Sequence, residues 1–200
     1  LTVRPTLKAN LFSQEELKLL YKCIDSQFYE KPREDSHILE MVETGWENKV
    51  KVEKDVGKAS TELQPLPEEI SNKLIAYAAE FGFTVQKEQI VALFMRYSNE
   101  FGLPTLEPHL DIHNCGLSID YLVRSNVDWP VVMENEEFHL KDNEGIFFEA
   151  SAVVHWRNPM VLDDEDYIEI IIFHYLVPSI EDLTPEQKEK RVAPYKNAWS

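Results

Sequence analysis

Two hundred residues amount to one domain of ordinary size, long enough to bury a substantial core. The chain is 44% hydrophobic and 28% charged, and 20 basic against 36 acidic residues leave a net charge of −16. That field argues against nucleic acid and anionic membrane surfaces as partners.

Cys23 and Cys115 are too few for a disulfide framework, which points to a reduced, cytoplasmic setting. No apolar run reaches the ~18 residues of a membrane span. In chain order, Ser13-Gln14-Glu15-Glu16 is a capping box, where the Ser13 hydroxyl and the Glu16 carboxylate satisfy each other's backbone N–H groups. Leu17, Leu20, Tyr21, Ile24 and Phe28 follow at helical spacing and predict an amphipathic helix from 14 to about 29. Residues 30–65 are polar and mixed. There Val50, Val52 and Val56 alternate with charged residues, which fits an edge strand or a mobile loop equally well. Pro67 and two glutamates open a second helix, because proline suits the first turn and carboxylates suit the positive end of the dipole. Its buried stripe is Ile70, Leu74, Tyr77, Ala78 and Phe81, with Gly82 as the stop. Residues 1–88 thus read as mostly helical support.

From Gln89 the period changes to two. Ile90 to Ser98, Gly116 to Val123, Glu137 to Leu140, Gly145 to Glu149, Ser151 to Trp156 and Tyr167 to Val177 read as strands. Turn formers such as Gly102, Pro104, Asn114, Pro130, Asn143 and Pro159 separate them. Many short strands with regular breaks predict a sandwich or barrel over residues 89–178. The nearly continuous apolar run Tyr167 to Tyr175 suits a strand buried on both faces. Within 179–200, Thr184 caps and Pro185 starts a polar C-terminal helix. The fold class is mainly β with flanking helices, in a single domain.

Six histidines occur, and a histidine alone is more often a surface or a hydrogen-bonded core residue than a ligand. The joint pattern is more informative. His109 and Asp111 are two apart in Glu107-Pro108-His109-Leu110-Asp111, and on a strand both side chains leave from one face. His155 lies in a later predicted strand, Val153-Val154-His155-Trp156-Arg157. Two imidazoles and one carboxylate on one side of an Fe(II), with the other side open, form the facial triad of non-haem iron oxygenases. His109, Asp111 and His155 are therefore the candidate iron ligands.

This ordered set resembles the prolyl-hydroxylase-like branch of the Fe(II)/2-oxoglutarate oxygenases. The resemblance covers residues 90–177. It is carried by Arg96-Tyr97, Pro108-His109-Leu110-Asp111, Leu117-Ser118-Ile119-Asp120-Tyr121-Leu122, Gly145-Ile146-Phe147-Phe148 ahead of His155, and Ile172-Phe173-His174-Tyr175. It implies a double-stranded β-helix, that is, a jelly-roll or cupin-like barrel. It also implies Fe(II), 2-oxoglutarate as cosubstrate, O2 as oxidant, and hydroxylation of an amino-acid, peptide or other small-molecule substrate.

The chain departs from the family at one point. An Arg or Lys about ten residues past the distal histidine usually grips the far carboxylate of 2-oxoglutarate, and here that region is Asp163-Asp164-Glu165-Asp166, of the wrong sign. Arg157 is the available substitute, since its planar fork matches a carboxylate. The competing expectation for Arg157 is a surface salt bridge to that acidic run. Arg96 and Arg124 are weaker candidates. Tyr97 is expected to donate its phenol to the cosubstrate, or else to be a half-buried core tyrosine. His174 and Tyr121 are expected either inside the barrel near the cosubstrate or exposed at strand ends. His113, in a turn beyond Asp111, is expected on the rim, facing substrate. Trp156 should point opposite to His155.

Two other readings stay open. One is a cupin-type metal enzyme that does not use 2-oxoglutarate, which the missing downstream cation favours. The other is a barrel that binds without turnover. The acidic surface, with residues 30–65 as a lid, fits a cationic amino acid or peptide.

Overall fold

The computed structural model describes residues 3–35, 49–111, 114–180 and 183–199. His113 therefore lies outside the described residues, as does the 36–48 part of the expected lid. β1 (Thr6–Ala9) leads into α1 (Gln14–Ile24), where the capping box forms as predicted. Ser13 Oγ accepts from the Glu16 N–H at 3.2 Å, and the Glu16 carboxylate accepts from the Ser13 N–H at 2.7 Å. A π-helical turn (Asp25–Tyr29) continues the helix and delivers Phe28 to the core. Next come β2 (Arg33–Asp35), β3 (Val50–Glu53), β4 (Lys58–Glu62) and α2 (Glu68–Glu80). β5 (Ile90–Tyr97), β6 (Leu106–His109), β7 (Leu117–Ser125), β8 (Val131–Met133), β9 (Glu136–Phe138), β10 (Glu144–Phe148), β11 (His155–Arg157) and β12 (Ile168–Tyr175) follow, before α3 (Pro185–Trp199).

The strands make two sheets, one ordered β1-β10-β7-β12-β5-β4-β3-β2 and a smaller one ordered β6-β11-β8-β9. Together they form a double-stranded β-helix. β12 pairs with β5 along one edge and with β7 along the other, so its apolar run is enclosed on both sides. Alternation then sorts the side chains. Phe94, Ile119, Tyr121, Ile171 and Phe173 pack beneath α1 and α2 with Leu17, Leu20, Ile70 and Leu74. Their neighbours Met95, Tyr97, Leu122, Ile168 and Ile170 face inward with Trp129 and Leu162. Val131 and Met133 of the small sheet meet Ile146 and Phe148 of the large one.

The structure adds to the expected pattern. Besides its helices the described part of residues 1–88 carries strands, since β1 extends one edge of the large sheet and β2, β3 and β4 extend the other. Val50 and Val52 are buried beneath the helices, so the period of two in this polar stretch marks a strand, while Val56 belongs to a tight turn. β6 and β8 are strands that the sequence pattern did not mark, each being too short to show alternation. The predicted strand from Ser151 shrinks to His155–Arg157, because the N–H groups of Ala152 and Val153 both donate to Glu149 O and turn the chain. Among the described residues no helix is long and apolar enough to cross a membrane.

On the helix side of β12, fully buried Glu169 ties three elements together. It accepts from Arg96 Nη1 at 2.5 Å, from Arg124 Nε at 2.6 Å, and from the Tyr29 hydroxyl at the end of α1. Glu169→Ala is expected to cost roughly 2–4 kcal/mol. Breaking a buried pair costs about 3–5, and here both guanidiniums retain some water. A lower urea midpoint at unchanged slope would register the loss.

Candidate metal centre

β6 and β11 are antiparallel neighbours, and His155 stands directly opposite His109. Cross-strand partners lie about 5 Å apart at Cβ, so strand pairing alone joins two imidazoles that are distant in sequence. Their ring centroids are 4.2 Å apart. Asp111 lies just past the end of β6. Its N–H donates to Ala150 O at 2.8 Å, and its carbonyl accepts from Lys188 Nζ of α3 at 2.9 Å. With the backbone so held, Asp111 Oδ1 is 3.3 Å from His109 Nε2 and 3.7 Å from His155 Nε2. The three donor atoms all lie within 4.8 Å of one another. Adjacent ligands on a metal with bonds of about 2.1 Å stand roughly 3 Å apart, so a slight contraction would seat an ion.

Backbone carbonyls orient both rings. His109 Nδ1 donates to Glu107 O at 2.7 Å, and His155 Nδ1 donates to Val153 O at 3.0 Å. A carbonyl only accepts, so each ring carries a proton on Nδ1, and Nε2 is the atom turned toward a cation. Burial, joined by the neighbouring charge of His109, pushes His155 down to about 4, so this ring is neutral. At Asp111 burial acts upward, but the hydrogen bond from His109 and the surrounding histidines outweigh it and hold the carboxyl well below its usual range. At His109 burial acts downward and Asp111 overrides it, raising the affinity for a proton. A metal would displace that proton.

Asp111, Cys115 and His174 also bring donor atoms within 4.8 Å of one another. Burial and then the Asp111 charge push the Cys115 thiol up to about 12. His174 is inside the barrel, with Nδ1 3.0 Å from Ser118 Oγ and 3.5 Å from Asp111 Oδ2. It backs the aspartate from the side away from the other two rings.

Arg157 also points inward, only 2% exposed, and the expected surface salt bridge to the 163–166 run does not form. Instead Nη2 donates to both oxygens of Asp120, at 2.8 and 2.9 Å, and Nη1 donates to Trp129 O. Its Nε has no partner among the described residues. Sequence reasoning passed over Asp120, although a carboxylate in the apolar strand Leu117 to Val123 signals a buried cation nearby. Tyr97 is fully buried rather than half-buried, packs on Trp129 at 4.8 Å, and among the described residues finds only the Met95 sulfur for its hydroxyl, at 3.6 Å.

Tyr121 must be corrected. It lies on the opposite face from Asp120, beneath the helices between Phe12 and Phe173, with its hydroxyl on Asn143 Oδ1 at 3.1 Å. Arg96 and Arg124 are excluded as cosubstrate residues for the same reason, since both serve Glu169 on the helix side. Trp156 points away from the centre and meets Tyr195 of α3.

The barrel has the fold seen in solved prolyl hydroxylases. Similar solved structures include a prolyl-4-hydroxylase from Pseudomonas putida, with a TM-score of 0.59 at 12% identity over 88% of this chain and 94% of that one. A prolyl hydroxylase from Trichoplax adhaerens, in complex with a hypoxia inducible factor oxygen degradation domain peptide fragment, gives 0.57 at 7% identity, over 86% and 83%. A putative oxygenase from Shewanella oneidensis gives 0.50 at 10% identity, over 96% and 88%. At these identities the likeness is one of fold. No protein-family model matches the sequence, and no curated protein does either.

His109→Ala and His155→Ala are each expected to weaken Fe(II) binding at least 100-fold in anaerobic calorimetry, with the metal-free fold retained. His174→Ala, which touches only the outer oxygen of Asp111, should weaken it by about tenfold.

Proposed function

We propose that this protein is a non-haem Fe(II)- and 2-oxoglutarate-dependent oxygenase that hydroxylates an amino-acid, peptide or other small-molecule substrate. The observation that carries this reading is the trio of His109, Asp111 and His155, with both Nε2 atoms presented and both Nδ1 atoms tied to carbonyls. Two imidazoles and one carboxylate suit Fe(II) and leave coordination positions free.

The barrel interior also supports the cosubstrate. Arg157 Nε is a buried donor without an acceptor, and the Tyr97 hydroxyl has only a thioether. Both would suit a carboxylate oxygen, and both sit against Trp129. Asp120 already balances the Arg157 charge, so hydrogen-bond geometry rather than net charge would hold a carboxylate there. Fe(II) and 2-oxoglutarate, when bound, would supply O2 activation coupled to decarboxylation to succinate, for hydroxylation of a substrate C–H. The chain's own part is placement and exclusion of water. Asp120 fixes the guanidinium, His174 and Ser118 back Asp111, and Met95, Ile170 and Trp129 keep the interior apolar.

A second reading, a metal enzyme that does not use 2-oxoglutarate, draws on the same Asp120–Arg157 pair, which leaves Arg157 no net charge to offer. Anaerobic titration of the Fe(II)-loaded protein with 2-oxoglutarate separates the two. The expected outcome is a visible metal-to-ligand charge-transfer band saturating at one equivalent, with Arg157→Lys raising its midpoint at least tenfold. Iron bound without the band would favour the second reading, and failure to bind iron would leave a barrel that only binds.

A further inference from the structure

Next to the metal centre, the inner face of the large sheet carries a polar wall that the reaction above does not use. Along β3 and β4, Val50, Val52 and Ala59 go beneath the helices. By alternation Lys51, Glu53, Lys58 and Ser60 turn to the barrel side. The register places Lys58 beside Tyr97 and Ser60 beside Met95, both inward-facing. The β3–β4 turn is pressed onto the chain entering β6. Gly57, at φ +64°, leaves no room for a side chain, since an added Cβ would stand 2.4 Å from the Leu103 carbonyl carbon. This contact fixes the wall beside the chain that leads into β6.

Glu53 is the informative member. It is 2% exposed, and its Oε2 takes Ser60 Oγ at 3.3 Å and Lys58 Nζ at 3.4 Å, while its Oε1 has no donor among the described residues. A carboxylate oxygen removed from water and left unbonded is costly, so such an atom calls for a ligand donor. Lys51, 9% exposed, pairs in register with Ser60 on the same face. The buried part of the wall therefore holds two ammoniums and one carboxylate, with the exposed Glu34 beside Lys51 on β2 and the half-buried Glu62 further along the same face of β4. A simple cation would meet two like charges, and a simple anion would meet the open Glu53 oxygen. A ligand with an N–H donor and a carboxylate on adjacent atoms answers both.

We propose that Glu53, Lys58, Lys51 and Ser60 form the head-group subsite for a free α-amino-acid substrate. Glu53 Oε1 accepts from the α-ammonium, and the two lysines take the α-carboxylate. The hydroxylation of that amino acid rests on the oxygenase reading, whereas its binding does not. The subsite concerns the head group alone and leaves the expectation of a cationic amino acid open at the side chain.

The test is calorimetric titration with the twenty common L-amino acids. It is run on the protein as isolated and again with Fe(II) and 2-oxoglutarate under nitrogen. The N-acetyl and carboxamide forms of the tightest binder follow. At least one free amino acid should bind, and blocking either end should weaken it at least tenfold. Glu53→Gln and Lys58→Met should do the same while leaving Fe(II) affinity and the 2-oxoglutarate midpoint unchanged, and unfolding midpoints will report on the fold. Should Glu53→Gln not fold, the blocked ligands on the unaltered protein still decide. Binding of no amino acid in either state, equal or tighter binding of the doubly blocked form, or a tenfold shift of the 2-oxoglutarate midpoint in Lys58→Met would overturn the subsite. Amino-acid binding without any 2-oxoglutarate band would sink the oxygenase reading alone and leave the subsite standing.

Discussion

The antiparallel pairing of β6 with β11 is the constraint on which the centre depends. It sets His155 opposite His109, and a slip of one residue would turn one imidazole out of the barrel. Neither strand is long enough to hold this register by itself, so the surroundings must. β8 pairs with the other edge of β11, placing Met133 against His155, and Phe148 of the large sheet packs its ring on the same histidine at 4.9 Å. Asp111, beyond the strand end, has no ladder to place it. Ala150 O and Lys188 of α3 do so instead, which gives the C-terminal helix a part in shaping the centre.

Charge is handled differently on the two faces of the large sheet. On the helix side Glu169 is shared by Arg96, Arg124 and Tyr29, and its work is to bind elements together. On the barrel side Asp120 holds Arg157 beside an unpaired Nε, and Glu53 meets Lys58 and Ser60 with an unpaired oxygen. The satisfied cluster reads as structural. The two incompletely satisfied ones, both on the barrel side, are those to which we assign ligands, because buried polar groups left unpaired are costly unless something completes them. The net charge of −16 therefore says little about the interior, where the charged groups occur mostly in opposed pairs.

The residue pattern alone is enough to read a β-rich barrel beneath two helices, the capping box at Ser13 and the cap at Thr184, the doubly buried β12, and a His-x-Asp with a distant histidine. These are local or periodic signals, and period and capping are properties of neighbouring residues. Which face a side chain takes, and what waits there, depends on strand partners that neighbouring residues do not reveal. Hence Tyr121 and Asp120, adjacent in sequence, end on opposite sides of the sheet, one beneath Phe12 and the other on Arg157. Likewise Arg157 meets a carboxylate from β7 rather than the nearby acidic run, and Glu53 faces the barrel only because β3 and β4 join β5. Long-range pairing settles such matters, since a shift of a single residue exchanges the two faces while the composition stays the same.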